Sequence, residues 1–98
     1  MKTLENYRRQ IDEIDQAILT NIAKRVRICE EIGAFKREHG IPMMQQERVN
    51  IVLDNAAKLG ESLNLRKSFV KKLYSELHAE IFDLENAIIN ADESITSR

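Results

Sequence analysis

Four cationic side chains, Arg8, Arg25, Lys36 and Arg48, are the residues of this chain whose types and spacing could do chemistry together. Arg25 and Lys36 are eleven residues apart. On a helix that is three turns, so both project from nearly the same face about 16 Å apart along the axis, and two long side chains could close on a small anion. Arg48 follows with a planar fork that suits a carboxylate. Arg8 lies about 25 Å further back along the same helix, turned by roughly a quarter of a revolution, beyond the reach of that ligand in its own chain. In an antiparallel pair of chains it could reach the partner's. No nucleophile and base stand beside these cations, so the chemistry they suggest is the grip of a multiply charged small anion. Taken singly, Arg8, Lys36 and Arg48 are ordinary solvated helix charges.

Other site chemistries have little material. Cys29 is the single cysteine, so no disulfide forms, and within an apolar run it reads as a reduced, buried small hydrophobe. With only His39 and His78 beside it, a zinc site would have to recruit carboxylates from unrelated places. Asp12 and Asp15 read as helix-surface groups. A net charge of −1, with no basic cluster interleaved with aromatics, argues against nucleic acid. The first residues, Met1-Lys2-Thr3-Leu4-Glu5-Asn6, carry no apolar leader core, and no run of some 18 apolar residues occurs. No membrane partner is expected, and the cytoplasm is the expected location.

The elements that must position the cations are helices. Three Gly, one Pro and 32% charged residues leave little for strands or hairpins, and an all-α fold of three helices is predicted. The first begins at an N-cap near Thr3 and stops at Gly40, ahead of Ile41-Pro42. The second runs from Gln45 or Gln46 to Leu59, with Gly60 as its stop, and the third from Arg66 or Lys67 to near Asn90. Residues 4–90 form one domain, and 91–98 a polar tail that frays.

The first helix carries two apolar heptad lines, Leu4, Ile11, Ile18, Ile32 and Tyr7, Ile14, Ile28, Phe35. Arg25 and Asn21 occupy positions where those lines call for an aliphatic residue. A guanidinium in an apolar seam is costly unless something negative meets it. At 1.5 Å per residue this helix is on the order of 50 Å long, well beyond a globule of this size. It must find a partner chain, and an intertwined homodimeric bundle answers both the length and the small core.

Tyr7-Arg8-Arg9-Gln10-Ile11-Asp12-Glu13-Ile14-Asp15, Ala23-Lys24-Arg25-Val26, Ile32-Gly33-Ala34-Phe35-Lys36, Ile41-Pro42 and Glu47-Arg48 together resemble the all-helical (AroQ-type) chorismate mutases, over about residues 4–90. The resemblance implies a homodimer with two sites, each completed by Arg8 of the partner. Arg25 and Arg48 would hold substrate carboxylates, and Lys36 a carboxylate and the ether oxygen. The implied reaction is the Claisen rearrangement of chorismate to prephenate, with no cofactor or metal. A second donor to the ether oxygen would come from Glu85, where many relatives have Gln, so its protonation matters. Gln45 stands where Asp is common, Val49 where a Glu usually holds the ring-carbon-4 hydroxyl, and Ile81 where a small polar residue sits. Glu47-Arg48-Val49 also resembles the isochorismate pyruvate-lyase branch. Isochorismate and 4-amino-4-deoxychorismate therefore stand beside chorismate as substrates, and a non-catalytic helical dimer is the reading of another class. His78 shares a face with Ile81 and Glu85, where a place at the rim is expected.

Overall fold

The computed structural model describes residues 2–96, with side chains as far as Ala87. It is all helical: α1 spans Leu4–His39, α2 Gln46–Ser62 and α3 Lys67–Thr96. Thr3 caps α1, its side chain accepting a hydrogen bond from the Asn6 amide at 3.2 Å. Gly40 ends it in the left-handed conformation, φ 63°, and both its N–H and that of Ile41 donate to the Lys36 carbonyl. Lys36, Arg37 and His39 lie in that last turn, where cations complement the helix dipole.

Two boundaries differ from expectation. Gly60 is inside α2, which continues to Ser62, and the left-handed residue of the turn is Asn64, φ 64°. Gly60 serves packing: a Cβ there would stand 2.6 Å from Val70 Cγ2, so its absence lets α2 and α3 approach closely. The third helix passes Asn90 and reaches Thr96, because nothing in Ala91-Asp92-Glu93-Ser94 breaks it. Residues 97 and 98, the end of the expected tail, lie outside the described residues.

α2 runs antiparallel along α3. Glu61 pairs with Lys67 at 3.2 Å, Gly60 meets Val70, and Asp54 pairs with Lys71 at 3.9 Å. Both ion pairs are more than half exposed and contribute little to stability, but they mark the register. Continued along both helices, that register sets residue 78 level with residues 47–52. α1 and α3 run parallel, since Arg25 meets Tyr74 and, further along both, Gly33 meets Glu85.

The core is thin. Among the described residues only Gly33, Ala57, Gly60, Val70 and Glu85 are buried, and every residue from Lys2 to Asn21 is exposed. Leu4, Ile11 and Ile18 are 63%, 56% and 49% exposed, so the heptad stripe has no cover within the chain. The Cα radius of gyration is 17.8 Å, against about 13 Å for a compact domain of this length. No helix among the described residues is long and apolar enough to cross a membrane.

Candidate functional site

A cleft of about 800 Å³ opens where the second half of α1, the loop after Gly40, the start of α2 and the middle of α3 converge. That volume suits a small organic ligand. Arg25, Lys36, Gln45, Arg48, Val49, Ile81 and Glu85 all line it, so seven of the eight residues singled out in the sequence share one wall system. Arg8 does not line it. That residue is exposed on the part of α1 that stands clear of the other helices.

The three cations of the cleft are held without carboxylates. Arg25 is half-buried, with its guanidinium carbon 5.6 Å from the centre of the Tyr74 ring and Nη1 4.0 Å from Cys29 Sγ. A cation over an aromatic face is stabilised by the ring quadrupole without losing its charge. Lys36, also half-buried, donates from Nζ to the Met43 carbonyl at 2.9 Å. That bond ties the end of α1 to the loop, and both residues line the cleft. Arg48 is exposed at the mouth. Among the described residues none of the three is in an ion pair. The seam position of Arg25 is thus met by an aromatic face and a thiol. Cys29 is half-buried on the cleft wall, a correction to the expected buried position, because α1 is so thinly covered by the other helices that Gly33 is its buried residue.

Glu85 is the buried charged side chain of the site, 8% exposed. Its neighbour across the helix pair is Gly33, where a Cβ would lie 3.4 Å from Glu85 Oε1; the missing methyl leaves room for the carboxyl. Burial holds this carboxyl above the ordinary carboxylate range, and the charge of Lys36 pulls the other way. A carboxyl kept protonated can donate a hydrogen bond, which a carboxylate cannot.

Sequence reasoning missed one partner. The Met43 carbonyl that takes Lys36 is a backbone atom, and no residue type signals it. His78, on the face it was expected to share with Ile81 and Glu85, lines the cleft half-buried, and its Nδ1 bonds the Tyr74 carbonyl at 2.8 Å. Cys29 and His78 both line the cleft, yet no hydrogen bond joins them into a nucleophile–base pair. Among the described residues no three His, Cys, Asp or Glu side chains are grouped as metal ligands. Cations placed around a cavity, with one carboxyl of raised pKa among them, can bind a small polyanion and stabilise oxygen charge that develops within it.

Residues 7–86 match the family model described as chorismate mutase type II. The chain is 32% identical to the 4-amino-4-deoxychorismate mutase of Streptomyces venezuelae, over 96% of this chain and 90% of that protein. It is 35% identical to the 4-amino-4-deoxychorismate mutase of Streptomyces pristinaespiralis, over 85% of this chain and 64% of the relative. With the chorismate mutase of Methanocaldococcus jannaschii it shares 31% identity, over 79% of this chain and 78% of the other. No solved structure matches the chain.

Proposed function

The chain belongs to the chorismate mutase type II family, and from that premise we propose that its cleft rearranges chorismate or the 4-amino analogue by electrostatic grip. The observation that carries this is that Arg25, Lys36 and Arg48, none in an ion pair among the described residues, line one cleft with Glu85, whose pKa is raised by burial. Arg25 and Arg48 hold the two carboxylates, which restricts the substrate to its folded, reactive conformer. Lys36 and the protonated Glu85 donate to the ether oxygen, where negative charge grows as the carbon–oxygen bond breaks and the carbon–carbon bond forms. No proton is transferred, and the product is an isomer of the substrate.

Completion of the site by a second copy is part of the same reading. The uncovered stripe from Leu4 to Phe35 is what a partner's α1 would bury, and an antiparallel partner would carry its Arg8 toward the cleft. A dimer is also the simplest remedy for so thin a core. The lone thiol fits a reducing compartment, and we assign the protein to the cytoplasm.

The 4-amino substrate is supported by two relatives named for it and by the apolar Val49 and Ile81 on the wall. The test is direct. Purified protein is incubated with chorismate, 4-amino-4-deoxychorismate and isochorismate in turn. Loss of ultraviolet absorbance reports rearrangement, and salicylate fluorescence reports pyruvate loss from the third. Rearrangement of the first or second supports the proposal. Salicylate alone would make the protein a lyase, and no turnover of any would leave an interaction module.

A further inference from the structure

His78 takes no part in the grip described above, yet it lines the cleft two helical turns before Glu85, about 10 Å along α3. Its Nδ1 faces the Tyr74 carbonyl at 2.8 Å. A carbonyl only accepts, so Nδ1 carries a hydrogen, and Nε2 can donate only when the ring is charged. The same Tyr74 lends its ring to Arg25, so one residue anchors both side chains and brings imidazole and guanidinium to the same end of the cleft. Lys36 and Glu85 occupy the other end. The titratable and charged groups that share the cleft with His78 are Arg25, Cys29 and Lys36 from α1, Glu47 and Arg48 from α2, and Glu85 on its own helix. A carboxylate bound beside the ring would favour its charged form.

We propose that His78 is a substrate-binding residue that takes up a proton with the ligand and donates from Nε2 to the carboxylate held by Arg25. The step is an ionic hydrogen bond: the proton comes from solvent, stays on the imidazole and is released when the ligand leaves. This rests on the reading of the cleft as a site for a dicarboxylate. His78 then acts on binding, whereas Glu85 acts on the rearrangement, and the two separate in KM and kcat.

The experiment has two arms. In the first, KM and kcat are measured between pH 5.5 and 8.5 for the full-length protein and for His78→Leu and His78→Gln. Linkage of one proton predicts a KM that rises by up to about tenfold per pH unit over the range in which the imidazole loses its charge. His78→Leu has a raised KM without that rise, His78→Gln, a fixed donor, has a flat KM between the two, and the pH profile of kcat is shared by all three. In the second arm an unreactive cyclic dicarboxylate is titrated calorimetrically into Glu85→Gln protein, in buffers of different ionisation heat. Uptake approaching one proton near neutral pH is expected, and its loss when His78→Leu is added. A KM slope that survives His78→Leu, a KM that falls as pH rises, or binding of the dicarboxylate without proton uptake each overturns the proposal. Absence of turnover with chorismate and its 4-amino analogue would defeat the proposed function, while the calorimetric arm still decides the role of His78.

Discussion

Replacing Glu85 by Gln preserves the shape of the side chain and removes its proton. In the wild-type protein the carboxyl is 8% exposed and burial lifts its pKa, with Lys36 opposing. If only the protonated form donates to the ether oxygen, each pH unit above that raised value lowers the competent fraction tenfold. That is a loss of about 1.4 kcal/mol of transition-state stabilisation per unit. The amide donates at every pH. Initial rates at saturating substrate between pH 5 and 8.5 should therefore fall toward alkaline pH for the wild type and stay level for Glu85→Gln, which overtakes it at the alkaline end. Stability follows the same proton. A carboxyl whose pKa is higher folded than unfolded contributes stability that is fully present below the unfolded value and lost as pH rises through the folded value. Denaturant midpoints of the wild type should accordingly fall from mildly acidic toward neutral pH relative to those of Glu85→Gln. A variant that keeps the wild-type kcat profile would refute the assignment of Glu85 as the ether-oxygen donor.

Site sharing between chains can be read from mixed dimers of Arg8→Ala and Arg25→Ala, each nearly inactive alone. Random pairing should restore about a quarter of wild-type activity, since one site in each heterodimer keeps both arginines. Mixtures that recover nothing would place both arginines in one chain's site. At Gly60, an added methyl 2.6 Å from Val70 Cγ2 forces α2 and α3 apart. Overpacking of roughly 1–3 kcal/mol should outweigh the gain of about 1 kcal/mol in helix propensity. Gly60→Ala should thus lower the unfolding midpoint, and an unchanged or raised midpoint would show that the helices yield there freely.

What could be read from the sequence was whatever rests on local chemistry. Thr3 and Gly40 bound α1 as expected, because a hydroxyl cap and a left-handed glycine act within a few residues of themselves. The spacing of Arg25 and Lys36 foretold a shared cavity, since helical geometry alone fixes it. Gly60 misled because a glycine that ends a helix and one that admits a neighbouring helix look alike in a single chain. His78 shares its face of α3 with Ile81 and Glu85, as the helical spacing implied, and all three line the cleft. Cys29 was expected to be buried, and its half-exposure follows from how little of α1 the other two helices cover.

Among the described residues Arg25, Lys36 and Arg48 are in no ion pair, although Glu47 and Glu85 share the cleft with them. A dianion therefore has no internal ion pair to break before it meets these cations. Only the folded chain gathers the three into one cavity, so a ligand bound to them there stabilises the fold by mass action. Occupancy and conformational stability become two expressions of one free energy.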